Sequence, residues 1–181
     1  MTRRIHVTGA AGTGVTTLGR ALATRFACPV VDSDDLYWLP TNPPYREKRP
    51  VEERLRLFRD LVGVRPDWVL SGSVDSWGDT LPAQFDIVVF LTAPTEVRLA
   101  RIAAREDIRR GSMRQVPDRD WRRARDELME WASGYEEGRF PGRSRQRHEN
   151  WLAGLPCPVL RLDAMSPTDV LVGRVAEVLT P

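Results

Sequence analysis

The chain has 181 residues, of which 41% are hydrophobic and 29% are charged, and its net charge is +2. This length predicts one domain, and the composition excludes a disordered, collagen-like or disulfide-scaffold protein. The small net charge argues against nucleic acid as a partner, and no apolar run approaches the roughly 20 residues that a membrane span needs.

Short apolar runs alternate with segments of helical periodicity along the chain. Strands are predicted at residues 5–7, 29–31, 68–70, 87–91 and 158–162, and helices at 16–26, 50–62, 94–110 and 167–179. In the helix at 50–62 the side chains expected to face inward are Leu55, Phe58, Leu61 and Val62. Because strands that alternate with helices imply right-handed crossovers, the sequence predicts an α/β fold with a mainly parallel sheet.

Two stretches interrupt this alternation. Residues 38–50 contain four prolines, which break any regular element there. Residues 98–147 contain 14 arginines and nine acidic residues. Helical spacing persists inside that stretch at Trp121, Ala124, Leu128 and Trp131. A local excess of positive charge favours a compact anionic ligand, although a solvated charged surface would have the same composition.

A glycine-rich loop connects the first predicted strand to the first predicted helix. Glycine lets the chain curl around phosphate oxygens so that backbone N–H groups point at them. The spacing fits the pattern G-x-x-x-x-G-K-[ST] at Gly9 and Gly14, and Thr16 stands where a hydroxyl ligates Mg²⁺. Val15 stands at the lysine position, which normally neutralises the β- and γ-phosphates. The predicted phosphate-binding residues are Gly9, Ala10, Ala11, Gly12, Thr13, Gly14, Val15, Thr16 and Thr17.

A second interpretation of this loop is a dinucleotide-binding turn. Thr8-Gly9-Ala10-Ala11-Gly12 resembles the start of the nucleotide loop of short-chain dehydrogenases. Asp32, 18 residues after Gly14, stands near the place of a ribose-binding carboxylate. The third glycine of that fingerprint would fall at Val15, and Lys48, the chain's one lysine, is not part of the Tyr-x-x-x-Lys pair of those enzymes. A glycine turn without a ligand is the remaining alternative.

The chain resembles the adenylate-kinase-like group of small P-loop kinases, from the first strand and its glycine loop into the arginine-rich stretch. Val30-Val31-Asp32-Ser33-Asp34 resembles the end of strand two in shikimate- and gluconate-type kinases. This resemblance implies that Asp32 serves Mg²⁺ through water and that Asp34 receives the hydroxyl to be phosphorylated. Ser71-Gly72-Ser73-Val74-Asp75 stands where adenylate kinases have Asp-Gly-x-Pro-Arg, which argues against a mononucleotide acceptor.

The residues around this acidic run leave alternatives open. Asp32, Asp34 and Asp35 could be helix N-caps instead of ligands. The run from Asp35 to Pro40 resembles topology-modulation-like kinase relatives. Within it, Tyr37 and Trp38 either line an acceptor pocket or are structural aromatics.

Arginines form one stripe along the helix predicted at 94–110, because Arg98, Arg101, Arg105 and Arg109 are spaced i, i+3, i+7 and i+11. In the kinases that the chain resembles, an Arg-x-x-x-Arg on this helix lies at the root of a mobile lid. The resemblance therefore implies that Arg101 and Arg105 cover the transferring group, whose charge planar guanidinium groups complement. The alternative is a solvated helix face with ion partners at Glu96, Glu106 and Asp107.

The sequence and this resemblance together predict a three-layer P-loop NTPase fold with strand order 2-3-1-4-5 and an arginine-rich helical lid. One domain is expected over residues 1–181, with an acceptor-binding insert at about 36–64 and the lid at about 110–147. The expected activity is ATP- and Mg²⁺-dependent phosphoryl transfer to a small-molecule acceptor. Its catalytic residues are Asp34, Arg101 and Arg105, and its metal ligands are Thr16 and Asp32. The alternatives are a silent nucleotide-binding protein and, less favoured, a Rossmann-type dinucleotide enzyme.

Several single residues complete the expectations. An arginine, Arg101 or Arg105, is favoured over Lys48 as the substitute for the missing lysine. The chain's two cysteines are too few for a zinc motif, and a cytoplasmic monomer is expected. His6 is expected in the core, and His148 at the surface.

Overall fold

Five parallel strands form one sheet in the order β2-β3-β1-β4-β5. The computed structural model describes residues 2–41, 45–112 and 117–179. The strands are β1 (Arg3–Gly9), β2 (Val30–Asp32), β3 (Asp67–Ser71), β4 (Ile87–Thr92) and β5 (Val159–Asp163). The predicted fold class and strand order are therefore confirmed.

Seven α-helices connect and cover these strands in the described part of the chain. They are α1 (Val15–Phe26), α2 (Ser33–Tyr37), α3 (Val51–Val62), α4 (Thr95–Ser112), α5 (Asp118–Ser133), α6 (Arg145–Ala153) and α7 (Thr168–Leu179). A short 3-10 helix, Pro82–Gln84, precedes β4. The four helices predicted with bounds are α1, α3, α4 and α7, and α5 is the helix expected in the arginine-rich stretch. Helices α2 and α6 are not among those predicted from the sequence.

Apolar side chains cover both faces of the sheet. On one face Phe58 of α3, Trp68 and Leu70 of β3, and Val88 and Phe90 of β4 belong to one buried cluster. On the other face α1 and α7 pack through Leu18, Leu22, Leu171 and Val175 against Ile5, Val7, Ile87, Val89 and Leu91. Successive residues of β4 thus enter opposite clusters, which explains why its sequence is apolar without alternation.

Two expectations about burial are wrong. Leu61, expected to face inward, is 51% exposed, because the buried stripe of α3 runs along positions 54, 58 and 62. Arg54 occupies that stripe instead. His148, expected at the surface, is fully buried because α6 packs its inner side towards the sheet, whereas His6 lies in the core as expected.

The carboxyl ends of the parallel strands meet along one edge of the sheet. β1 ends there at Gly9, β2 at Asp32 and β3 at Ser71, and the register pairs Asp32 with Ser71 and Ser71 with Val7. Ligands of open α/β sheets bind at this edge. The topology therefore brings the glycine loop and the acidic run, which are separated along the chain, to one place.

The stretches predicted as acceptor insert and lid contain irregular as well as helical structure. In the first, Trp38 pairs with Lys48 in an isolated antiparallel bridge, and Leu39 N–H donates to the Glu47 carbonyl. The second holds the end of α4, α5 and the start of α6. Residues 42–44 and 113–116 of these stretches lie outside the described residues. Across the described ranges, no helix is long and apolar enough to cross a membrane.

Candidate functional site

The glycine loop has the curvature that its sequence predicts. Gly12 and Gly14 have φ angles of 85° and 93°, in the left-handed region that favours glycine. A Cβ on Gly12 would lie 2.4 Å from the Arg98 carbonyl oxygen, so a side chain there would collide with α4. The Thr13 hydroxyl and N–H both donate to the Ala10 carbonyl, at 2.8 and 3.2 Å. The loop therefore closes on itself in front of α1, whose first N–H groups have no partner within the helix.

The two residues predicted as metal ligands are in direct contact. Thr16 Oγ1 donates to Asp32 Oδ2 at 2.9 Å, and the Asp34 N–H donates to Asp32 Oδ1 at 3.1 Å. Asp32 is thus the N-cap of α2, as one alternative proposed, and also faces the first turn of α1. A hydroxyl and a carboxylate are hard oxygen ligands, and Mg²⁺ commonly takes few protein ligands while keeping water and phosphate oxygens. The donor set fits this ion.

Asp34 lies on the second position of α2, at the protein surface. Desolvation by the surrounding protein raises the pKa of its carboxyl, and the neighbouring carboxylates of Asp32 and Asp35 raise it further. The guanidinium groups of Arg143 and Arg105 lower this pKa. Asp34 is therefore a carboxylate with more basicity than an ordinary aspartate, although two arginines act on it electrostatically.

The predicted arginine stripe does not act as one surface. Arg98 is fully buried, whereas Arg101 and Arg105 are exposed. Arg101 Nη2 donates to the carbonyl of Ala164, in the turn after β5, at 3.0 Å. Arg105 pairs with Glu106, and Arg109 pairs with the same carboxylate, as the solvated-face alternative expects. Arg105 is among the charges that act on Asp34.

Arg143 is a candidate residue that is absent from the sequence-based prediction. It follows α5, at a position without helical periodicity, and its guanidinium acts on Asp34, Tyr135 and His148. Its guanidinium carbon lies 5.7 Å from the ring centre of Trp131. The one available signal was the local excess of arginine, which does not single out a residue.

The residue at the lysine position and the chain's one lysine have different surroundings. Val15 is half-buried against the apolar cluster that includes Leu18 and Leu22. Lys48 Nζ lies 5.9 Å from the ring centre of Tyr37, on the stretch that follows α2. Lys48 therefore lies beside Tyr37, three residues beyond Asp34 along the chain.

A second residue absent from that prediction, Arg54, lies beneath α2. It is 5% exposed, its Nε donates to the Arg49 carbonyl at 2.6 Å, and its guanidinium lies 4.0 Å from the Tyr37 ring centre. Burial lowers its pKa. Within the described residues no carboxylate forms a salt bridge with it. Its spacing of four and eight residues from Phe58 and Val62 was the available signal.

The aromatic pair after the acidic run is partly structural. Tyr37 packs against the apolar cluster of Phe58 and Trp68, and its ring centre is 4.8 Å from that of Trp38. Trp38 in turn contacts Tyr45 edge to face, with centroids 6.0 Å apart.

A glycine loop between β1 and α1, with a threonine–aspartate pair at the ends of α1 and β2, defines a P-loop nucleotide-binding domain. Strand order 2-3-1-4-5 differs from the 3-2-1-4-5 order of Rossmann domains, so the dinucleotide alternative is excluded by the fold. A family model described as an AAA domain matches residues 5–122. The chain belongs to this family, and its fold is that of small P-loop kinases.

One relative spans almost the whole chain, and a second spans little more than half of it. "Uncharacterized protein YqaC" of Bacillus subtilis is 37% identical over 180 residues, which cover 99% of both chains. A cytidylate kinase of Haloarcula marismortui is 31% identical over 115 residues, covering 57% of this chain and 58% of the relative. Among solved structures, a shikimate kinase from Bacteroides thetaiotaomicron has TM-score 0.57 and 17% identity, with 99% of each chain covered. A gluconokinase from Sinorhizobium meliloti has TM-score 0.50 and 17% identity, with 98% and 95% covered.

Proposed function

We propose that this protein is a kinase that transfers the γ-phosphoryl group of ATP, with Mg²⁺, to a small-molecule acceptor. The observation that carries the proposal is the contact between Thr16 and Asp32, which joins the phosphate loop to the acidic run at one sheet edge. The kinase relatives and the P-loop kinase fold support it.

The loop and the first turn of α1 would hold the nucleotide phosphates through backbone N–H groups of residues 9–17. Thr16 and Asp32 would hold Mg²⁺, which when bound neutralises phosphate charge and fixes the phosphate geometry. Since phosphoryl transfer depends mostly on positioning and electrostatics, a pre-formed loop with paired ligands supplies much of what the reaction needs.

Asp34 would accept the proton of the acceptor hydroxyl. In this step the hydroxyl oxygen bonds to the γ-phosphorus, the bond from that phosphorus to the bridging oxygen breaks, and ADP leaves. The proton passes to the Asp34 carboxylate, whose raised pKa makes it a better base than an ordinary aspartate.

Arginines would supply the positive charge that Val15 cannot. Arg105 and Arg143 both act on Asp34, so we propose that they cover the transferring group from the acceptor side. Arg101 must leave the Ala164 carbonyl to reach the phosphates, so its catalytic role would depend on closure of residues 110–147 as a lid.

Arg54 suggests what the acceptor carries besides its hydroxyl. A buried guanidinium is costly when, as among the described residues, no carboxylate pairs with it, and an anionic group on the acceptor would compensate its charge. Tyr37, over which Arg54 lies, follows Asp34 by almost one helical turn. We therefore propose an acceptor with a hydroxyl and a carboxylate or phosphate.

A silent nucleotide-binding protein is the second candidate, and the packing of Val15 against the core favours it. Thermal-shift measurements with ATP and NADH, each with and without Mg²⁺, test the class of ligand. Detection of ADP with a panel of hydroxylated carboxylates and phosphates then tests transfer. Stabilisation by NADH and not by ATP would overturn both candidates, whereas ATP binding without ADP from any acceptor would favour the silent protein. We further propose that the protein is a cytoplasmic monomer, in which both cysteines are free thiols.

A further inference from the structure

A hydrogen-bonded network of polar side chains crosses the interior between α5, α6 and the turn after β3. Tyr135 and His148 are buried, and the Tyr135 hydroxyl lies 2.8 Å from His148 Nδ1. His148 Nε2 lies 3.4 Å from Ser73 Oγ, which in turn lies 2.9 Å from Asp75 Oδ1. Arg147 binds the other oxygen of Asp75. None of these residues belongs to the phosphate loop or to the acidic run.

The hydrogen bonds of this network have one consistent assignment of donors and acceptors. Arg147 and Ser73 hold the pKa of Asp75 below its usual value, so Asp75 is an acceptor and the Ser73 hydroxyl donates to it. Ser73 Oγ then accepts from Nε2–H of His148, which leaves Nδ1 bare to accept the Tyr135 hydroxyl proton. Each group from Tyr135 through His148 and Ser73 therefore donates to the next, and Asp75 is the last acceptor. Neutral His148 carries its proton on Nε2.

At its Tyr135 end, the network reaches the phosphate loop through Arg98. The Arg98 guanidinium carbon lies 5.1 Å from the Tyr135 ring centre, and its Nη1 donates to the Ala11 carbonyl at 3.4 Å. The backbone of Arg98 also limits position 12, where a Cβ would lie 2.4 Å from the Arg98 carbonyl oxygen. Tyr135 thus contacts the residue that packs against the back of the loop.

At its Ser73 end, the network reaches the residue before Asp34, which is Ser33. The Ser73 N–H donates to Ser33 Oγ at 3.1 Å, and Ser33 is the first residue of α2. A Cβ on Gly72 would lie 1.9 Å from that Ser33 oxygen, so the turn after β3 is fitted closely to α2. The network thus contacts α2, the helix that carries Asp34, the proposed base.

We propose that Arg98, Tyr135, His148 and Ser73 are positioning residues that fix the phosphate loop and α2 relative to each other. This inference rests on the proposed function and adds to it the residues that hold the two halves of the site in register. Transfer needs the acceptor oxygen in line with the γ-phosphorus, and a displacement of about 1 Å can cost about 100-fold in rate. None of the four residues needs to touch a substrate.

Hydrogen exchange gives a test that does not need turnover. A non-hydrolysable ATP analogue with Mg²⁺ is expected to slow amide exchange directly at residues 10–17. Through the network, it is expected to slow exchange at residues 33–37 and 71–75 as well. Tyr135→Phe keeps the ring under Arg98 but removes the hydroxyl, so it should keep the first protection and lose the second. Protection confined to residues 10–17 in the unaltered protein would overturn the inference and leave the proposed function intact. No protection of residues 10–17 would overturn the proposed function, and this inference with it.

Kinetics separate positioning from a purely structural role. Tyr135→Phe and Ser73→Ala should each lower kcat at least about tenfold while KM for ATP changes little, and the double variant should lose no more than the more damaged single. The matched control is His6→Gln, since His6 is equally buried but hydrogen-bonds to the Leu70 carbonyl and, among the described residues, to no member of this network. It should lower stability and keep kcat. Additive losses, or an equal loss of kcat in His6→Gln, would overturn the inference.

Discussion

Thr16 Oγ1 donates a 2.9 Å hydrogen bond to Asp32 Oδ2, which ties the first turn of α1 to the end of β2. The same carboxylate caps α2 through the Asp34 N–H. One aspartate therefore sets the position of the hydroxyl, the acidic run and the start of α2. As proposed above, this arrangement would offer Mg²⁺ two oxygen ligands without a rearrangement of the backbone.

Removal of the Thr16 hydroxyl should impair the use of Mg²⁺. Thr16→Val keeps the side-chain shape but removes one ligand, so we expect the affinity for MgATP to fall by about tenfold or more, near the loss of one charge-assisted contact. Isothermal titration with and without Mg²⁺ measures this. Thr24→Val is the control, because the Thr24 hydroxyl lies on the same helix and donates to the Arg20 carbonyl. Equal affinities in both variants would show that Thr16 is not a ligand.

Asp34→Asn should separate transfer from nucleotide binding. The amide cannot accept a proton, so we expect transfer to fall by about 100-fold or more while ATP binding stays near that of the unaltered protein. The control is Asp35→Asn, because Asp35 adjoins Asp34 and also has a raised pKa. Because the pKa of Asp34 is raised, the rate should decline as pH falls through that value. A full rate in Asp34→Asn would remove this residue from the mechanism.

The charge that replaces the P-loop lysine can be located by substitution. Arg101→Ala and Arg105→Ala should each abolish most turnover, and Arg143→Ala should resemble Arg105→Ala because both guanidinium groups act on Asp34. Lys48→Ala should matter less, since its ammonium lies beside Tyr37. Steady-state rates at saturating ATP measure each loss.

Val15→Lys completes that series. A lysine can keep its stem against the apolar cluster and extend its ammonium towards the loop, so ATP affinity should stay the same or rise. If Lys48→Ala were the damaging change and the arginine variants kept full rate, the substitute would be the lysine. Turnover that appears only after Val15→Lys would identify the natural protein as a silent nucleotide binder.

Local sequence patterns predicted those parts of the candidate site that each lie within one short motif. The glycine loop, the hydroxyl at Thr16 and the carboxylates after β2 follow from motif spacing and from the rule that parallel strands end at one edge. The roles of Arg54 and Arg143 depend on tertiary contacts that no local period contains. Helical spacing alone did not predict which arginines of α4 are buried. It places Arg98 and Arg105 on one face, whereas α5 and the glycine loop cover Arg98 and leave Arg105 exposed.

Arg54 should affect the acceptor and not the nucleotide. Arg54→Lys keeps a positive charge but loses the planar guanidinium that lies over Tyr37, so we expect KM for an anionic acceptor to rise roughly tenfold with KM for ATP unchanged. The control is Arg59→Lys, on the same helix but exposed. Initial rates over a matrix of both substrate concentrations separate the two KM values. A rise in KM for ATP alone would place Arg54 outside the acceptor site.

The buried histidines should make the protein less stable in mild acid. Burial lowers the pKa of His6 from 6.5 to about 3 and that of His148 to about 4. The unfolded chain therefore binds protons below pH 6.5 that the native protein excludes, so the free energy of unfolding falls as pH decreases from 6.5 towards 4. Each histidine contributes up to about 1.4 kcal/mol per pH unit over that window. The raised pKa of Asp34 acts in the opposite direction, and the lowered pKa of Asp75 matters only at lower pH.

Urea unfolding between pH 7.5 and 5.0 measures this slope, since the range begins about one pH unit above the ordinary histidine pKa and extends well below it. His148→Gln removes one titrating group, so it should be less stable than the unaltered protein at pH 7.5 but lose less stability on acidification. His6→Gln should behave in the same way because that ring is equally buried. If the curves for the unaltered protein and His148→Gln ran parallel, His148 would not be the neutral buried ring that links Tyr135 to Ser73.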